Sequence, residues 1–441
     1  MKKVLCLVIS MLLCLTSVAC GQKNNNNEEN EEQSIGYVFK EREIKTDGKR
    51  YSDGVDFPDE LWETPEFEYC PDLDFGTAHN VDVSSVKGIF YTSPIKYKGK
   101  QTKIAAYIGF PEGASKDNKV PAIVLVHGGL GTACPDWVKY WNDLGFAAIS
   151  MDTEGAEPIN GVSNYNNVHI EQNRYKEDEI YTNGPTNTGI AKSNVPLEDN
   201  WYYHATSSVI VATSLISSFE CVDTQKIGIT GVSWGGMITS VVTGYDDRLT
   251  FAVPVYGSTS LNNSCAGFAT IYQDSASIEL WDTTKPLENT NCKMFFVNGT
   301  RDFAFSMDAS SRCAYASKGY AVYKKNFNHG QVEGAYEPNI PFFAKYICGM
   351  SNEFVEIVSG PTKDDPSVTI YAPEDVIVES VKIVYTSSFR TNKSAVWESK
   401  RVDYEIGKTT YDLEIPEGAK YYYIDIIYNS NLQVSSCIVT L

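Results

Sequence analysis

Residues 226–237 read KIGITGVSWGGM, and this stretch decides how the rest of the chain is understood. Lys226 to Thr230 is a short apolar run with β-branched residues, suited to a buried strand. Gly231-Val232-Ser233-Trp234-Gly235 then sets a serine between glycines two positions away on either side, the pattern G-x-S-x-G. A serine at a sharp strand-to-helix turn must hold strained backbone angles, so neighbours without Cβ fit where chain segments crowd. Such a turn also aims Oγ at the N-terminus of the next helix, where unpaired N–H groups and the dipole favour developing negative charge. An ordinary glycine-flanked turn has the same letters, so context decides. A strand precedes, and Met237-Ile238-Thr239-Ser240-Val241-Val242 is a helix-compatible run. Ser233 is therefore the candidate nucleophile.

A serine nucleophile needs a base, and the base needs an acid to orient it. The chain has five histidines, at 79, 127, 169, 204 and 329, and only His329 follows Ser233. In the order serine, acid, histidine that leaves one base, placed in Asn328-His329-Gly330 after a β-like run. Asp302 is the candidate acid, because it ends the apolar run KMFFVNGTRD (Lys293–Asp302) between the two. Asp308 and Asp282 stand behind it, each also readable as a helix cap or a solvated charge. Arg301 beside Asp302 offers the bland alternative of a surface ion pair.

An oxyanion needs two backbone N–H groups, one after the nucleophile and one from an earlier strand-end loop. Trp234 offers the first, and Gly129 or Leu130 in HGGLG (His127–Gly131) the second. His127, just before the glycines, suits loop bracing. His204 falls on a long helix as a satisfied core or interface residue, and His79 and His169 carry no signal.

Val86–Glu112 contains two alternating runs around Lys98-Gly99-Lys100, a hairpin. PAIVLV (Pro121–Val126) and FAAISMD (Phe146–Asp152) read as strands buried on both faces, with a helix from Trp137 capped by Gly145 between them. Asp199–Phe219 is a strong helix signal, and LTFAVPVYG, KMFFVNGTRD and YAVYKKNFNHG continue the strand–helix alternation. The fold class is α/β, a mostly parallel sheet flanked by helices. The polar stretches Gly155–Asn200 and Ser258–Asn291 are expected to shape the pocket. Beyond Ser351, six or seven β-rich runs between turns predict a small antiparallel sandwich of immunoglobulin-like size over 351–441. Trp397 and Tyr421, Tyr422 and Tyr423 invite a sugar-stacking reading, though aromatic residues in strands usually pack a core.

At 441 residues and 42% hydrophobic, the chain is long enough for about two domains with real cores. A formal charge of −19 repels phosphate backbones, so nucleic acid is excluded as a partner. Lys2 and Lys3 followed by the apolar run Val4–Leu15 form an export signal over residues 1–20. The run to Cys20 resembles a bacterial lipobox, with Ser17 where leucine is usual, which implies lipidation of Cys20 and a membrane anchor. Residues 21–34 are a polar tether, and 35–350 the catalytic part with an irregular N-terminal extension. The eight cysteines beyond the signal show no CxxC spacing, so a metal site is not indicated.

HGG, GVSWGG, NGTRD and NHG occur in the order of a known machine, and from about Val86 to Cys348 the chain resembles an α/β hydrolase of the acetyl xylan esterase, dienelactone hydrolase and prolyl oligopeptidase-like group. YYHATSSVIVATSLISSFECVDTQKIGITGVSWGG, FAVPVYG and VNGTRDFAF carry the similarity to acetyl xylan esterases. The resemblance implies a Ser233–Asp302–His329 triad, no metal or organic cofactor, and an acylated carbohydrate as substrate. Serine in place of cysteine excludes the cysteine-type dienelactone hydrolases. Two rivals stand beside an exported, membrane-anchored esterase. A prolyl oligopeptidase-like peptidase would need a large recognition domain, for which the sequence before Val86 is too short. A glycan-binding lipoprotein without catalysis would not need the full triad.

Overall fold

The apolar runs flanking Ser233 lie side by side in one twisted sheet. The computed structural model describes residues 54–158, 175, 177–187, 195–258, 280–282, 284–288, 290–388 and 395–441. The export signal, Cys20, the 21–34 tether, His169 and most of the two long polar stretches lie outside the described residues.

The strands that build the site are β1 (Phe67–Tyr69), β2 (Lys87–Tyr97), β3 (Lys100–Gly109), β4 (Val120–Val126), β5 (Ala147–Met151), β6 (Val222–Val232), β7 (Leu249–Val255), β8 (Lys293–Arg301) and β9 (Tyr320–Asn328). Their order across the sheet is β1-β2-β3-β5-β4-β6-β7-β8-β9. The β2–β3 hairpin turns at Lys98 and Gly99 as expected and is antiparallel, whereas β5 to β9 run parallel. Parallel strands covered on both faces must be apolar throughout, and β5 and β7 are buried at every position.

Helices α1 (Pro135–Asp143), α2 (Trp201–Ser217) and α3 (Trp234–Tyr245) connect these strands. The connection through α1 runs outward from β4 to β5, and the one through α2 crosses back to β6. The chain thus reverses direction between β4 and β6. Crevices at such a reversal, at the carboxyl ends of the strands, are where sites form in open α/β sheets. HGGLG follows β4 and Ser233 follows β6, so both fall at this place.

Helix α2 is capped by Asn200, whose side chain accepts the Tyr202 amide, and every residue except Ser217 is buried. A helix apolar all round needs cover on its outer face. The N-terminal extension supplies it: Phe57 stacks on Tyr203 with ring centres 5.2 Å apart, and Ser214 Oγ donates to the Leu61 carbonyl at 2.7 Å.

The C-terminal segment holds β10 (Glu356–Ser359), β11 (Ser367–Tyr371), β12 (Val378–Thr386), β13 (Glu398–Val402), β14 (Thr410–Asp412), β15 (Tyr421–Tyr428) and β16 (Leu432–Ser435). These strands are antiparallel and fall into two groups, a separate three-stranded sheet β10-β11-β14 and the row β16-β15-β12-β13. The second is hydrogen-bonded to the central sheet, because β16 pairs with β9 at Ala321↔Ser435. Left bare, β9 would be an edge strand with unpaired backbone groups, and β16 removes that liability. Trp397, Tyr422 and Tyr423 are buried, and Tyr423 packs against Tyr323 of β9.

Asp425 of β15 holds this junction together. Its Oδ1 accepts from Gln433 Nε2 at 2.6 Å and from Ser435 Oγ at 3.0 Å. Those two residues in turn engage the β9 backbone, Gln433 Nε2 donating to the Tyr323 carbonyl and the Tyr323 amide donating to Ser435 Oγ. Burial pushes the Asp425 carboxyl from 3.8 up to about 6, worth roughly 3 kcal/mol. A raised carboxyl contributes stability that is full below the unfolded value, near pH 3.8, and lost as pH rises through about 6. Asp425→Asn keeps the acceptor and has no charge to bury. Thermal melting from pH 4 to pH 8 is expected to show the variant more stable than the parent near pH 7 and level with it at pH 4. A gap independent of pH would contradict the account.

Candidate active site

Ser233 sits between β6 and α3 at φ 59° and ψ −118°, a left-handed conformation that is strained for a residue with a Cβ. Its amide donates to the Val255 carbonyl of β7 at 2.8 Å, and its carbonyl accepts the Met237 amide at 3.0 Å. The flanking glycines are steric necessities. A Cβ on Gly231 would lie 2.3 Å from the Gly235 oxygen, and one on Gly235 would lie 2.1 Å from the Val126 oxygen at the end of β4. The turn is tight because it passes directly over the neighbouring strand.

His329 follows β9 and Asp302 follows β8. His329 Nε2 is 2.8 Å from Ser233 Oγ, and its Nδ1 is 2.9 Å from Asp302 Oδ2. With the carboxylate accepting at Nδ1, that nitrogen carries the proton and Nε2 is left as an acceptor for the serine hydroxyl. Asp302 is buried, and its other oxygen accepts the Ala304 and Phe305 amides at 2.7 and 2.8 Å, an Asx turn that fixes the carboxylate. Arg301 is exposed. The imidazole lies among Tyr256, Phe303 and Phe305, with ring centres 4.8, 5.1 and 5.9 Å away.

The HGGLG loop lies beside the serine. His127 is fully buried, and its Nε2 accepts the Thr153 amide at 3.0 Å, so Nδ1 carries the proton and donates to the Gly128 carbonyl at 2.7 Å. Burial holds its pKa below the ordinary value, keeping the ring neutral for this bracing task. Leu130, at φ 63°, donates its amide to Glu154 Oε1 at 2.8 Å. The Gly128 amide donates to Gln331 Oε1 at 2.9 Å. Gly129 lies against the Trp234 indole, where a Cβ would come within 2.4 Å of Cδ1.

Residues 50–261 match the family model of acetyl xylan esterases, and residues 198–325 that of the prolyl oligopeptidase family. The chain is a relative of the α/β-hydrolase superfamily. The matches place this α/β hydrolase with the serine hydrolases of the esterase and peptidase kind. Among solved structures it is similar to an acetyl xylan esterase from Paenibacillus sp. R4, at 14% identity and TM-score 0.43, covering 65% of this chain and 88% of that one. Acetyl xylan esterase 1 from Thermoanaerobacterium sp. JW/SL YS485 gives 15% and 0.42, covering 65% and 92%. The Pyrococcus horikoshii acylaminoacyl peptidase gives 12% and 0.43, covering 61% and 42%. No curated protein matches the sequence significantly.

The remaining candidates fall elsewhere in the hydrolase. Asp308 lies in the first turn of α4 (Met307–Ser317), and Asp282 accepts the Thr284 amide at 2.9 Å, as a cap does. His204 is buried on α2 with Nε2 on the Glu198 carbonyl, and His79 pairs with Asp136 at 3.1 Å. Glu154 and Gln331 were not singled out by the sequence. Gln331, two positions after His329, carried a signal only in that proximity.

The crowding at the turn makes a direct prediction. Gly235→Ala is expected to lose roughly 3 kcal/mol or more, because backbone and not a flexible side chain meets the new Cβ. Chemical denaturation measures this, and wild-type stability in the variant would contradict the tight crossing.

Proposed function

We propose that this α/β hydrolase is an exported serine esterase that removes acyl groups, acetyl above all, from carbohydrates through a covalent acyl-enzyme. The observation that carries the reading is the unbroken line of hydrogen bonds from Ser233 Oγ through His329 to buried Asp302, set on a strained turn at a helix N-terminus. Ser233 attacks the ester carbonyl as His329 takes its proton. Asp302 holds the resulting imidazolium, and the oxyanion is received by Trp234 N–H and an amide of the HGG loop. His329 then returns the proton to the departing alcohol, and a water activated in the same way releases the acid. The match over residues 50–261 supports an ester as substrate.

The match over residues 198–325 supports a second reading, a serine peptidase with the same acyl-enzyme chemistry. Hydrolysis of p-nitrophenyl acetate, of longer acyl esters and of a prolyl-peptide amide separates the two. Acetate turnover is expected to dominate, to fall at least about a thousandfold in Ser233→Ala, and to fall by a similar order in Asp302→Asn. Dominant amide cleavage would favour the peptidase. Absence of Ser233-dependent turnover on every substrate would favour a non-catalytic binding protein.

Export with a lipid anchor at Cys20 is proposed from Lys2, Lys3 and the apolar run before that cysteine. Metabolic labelling with a fatty acid in a bacterial host is expected to tag the parent and not Cys20→Ala. Equal labelling of both would contradict Cys20 as the site, and no label on the parent would remove the anchor.

A further inference from the structure

We propose that Gln331 and Glu154 are positioning residues that fix the HGG loop by holding the amides on either side of Gly129, so that Gly129 N–H is the loop's oxyanion donor. The inference rests on the esterase reading of Ser233 and goes beyond it by assigning the donor and the two side chains that aim it.

Two side-chain oxygens from different parts of the fold reach the loop. The Gly128 amide donates to Gln331 Oε1 at 2.9 Å, and the Leu130 amide donates to Glu154 Oε1 at 2.8 Å. The Gly131 amide turns back to the Gly128 carbonyl at 3.0 Å. Among the described residues, no acceptor takes the Gly129 amide that lies between them. The loop is also next to the nucleophile, since a Cβ on Gly128 would lie 3.3 Å from Ser233 Cβ.

Each clamp is itself held. Gln331 opens α5 (Gln331–Ala335), two residues after His329, so one short segment carries both the base and a support for the loop. The Gly128 N–H can only donate, which fixes the orientation of the Gln331 amide with oxygen toward the loop. Its Nε2 is then buried without a partner among the described residues, so the side chain is used for its oxygen alone. Glu154 follows β5; its amide donates to Asp152 Oδ2 at 3.0 Å, and its Oε1 also accepts from Asn187 Nδ2 at 2.9 Å.

The physical need is plain. Two successive glycines give the loop no steric restraint of its own, so hydrogen bonds must hold its peptides, and Leu130 occupies a left-handed conformation that costs energy. An oxyanion donor is effective only when it is aimed before the reaction begins. Gly129 N–H shares its peptide with the Gly128 carbonyl, which His127 and Gly131 hold, and with the amides on both sides held by Gln331 and Glu154 it cannot turn away without breaking these bonds.

The test uses a fluorophosphonate probe, in which serine Oγ attacks phosphorus, fluoride leaves and the phosphoryl oxygen sits where the oxyanion would. Intact-mass spectrometry gives the labelling rate, and thermal melting reports folding. The parent is expected to label and Ser233→Ala not to. Gln331→Met and Glu154→Leu, which keep bulk and lose the acceptor, are expected to label at least about tenfold more slowly while still folded. Glu154→Gln, which keeps an acceptor oxygen, is expected to recover most of the rate lost in Glu154→Leu. In p-nitrophenyl acetate hydrolysis the loss variants should show lowered kcat with KM nearly unchanged. Folded loss variants that label at more than a tenth of the parent rate would overturn the clamp, as would a Glu154→Gln as slow as Glu154→Leu. An unlabelled parent would instead overturn the Ser233 reading, and the clamp with it.

Discussion

Everything at this site depends on one steric constraint, the passage of a left-handed serine over the end of the adjacent parallel strand. Ser233 can hold φ 59° only because Gly231 and Gly235 let backbone meet backbone at the crossing. Strain of this kind costs on the order of 1–3 kcal/mol. It persists because β6 is locked between β4 and β7, whose residues are almost all buried, and because the Ser233 amide is tied to Val255. The same geometry that costs stability brings Oγ out of the chain, at the start of a helix whose amides face it.

The other groups reach the serine from separate strand ends, and each is immobilised by its own neighbours. Asp302 is fixed by two amides of its own loop, His329 by three aromatic rings and by Asp302, and the HGG loop by neutral His127 below it. The C-terminal strands extend this logic. By pairing β16 with β9, the strand that delivers His329, they turn a free edge into an interior strand. The Asp425–Gln433–Ser435 group then ties side chains as well as backbones across that seam.

The parallel sheet was legible because strands buried on both faces leave continuous apolar runs, as in PAIVLV and FAVPV, and helices leave caps such as Asn200. Ser233, Asp302 and His329 were legible because a serine elbow, a strand-end acid and a lone downstream histidine follow from chemistry and chain order. The structure brings these three together. Glu154 and Gln331 were hidden because their partners are backbone amides 24 and 203 residues away, and no periodicity records such contacts. The joining of the C-terminal strands to the central sheet was hidden for the same reason. Strand runs predict strands, but pairing between Ala321 and Ser435 is set by tertiary packing.

In the proposed mechanism Ser233 becomes covalently acylated during turnover. Rapid acid quench of the full chain during p-nitrophenyl acetate hydrolysis, followed by peptide mass spectrometry, tests it most directly. An acetyl group on the peptide bearing Ser233, appearing within the first turnover and absent in Ser233→Ala, is the predicted result. Steady turnover with no acetyl group on Ser233 at any quench time, or one on another residue that forms at the rate of turnover, would contradict it.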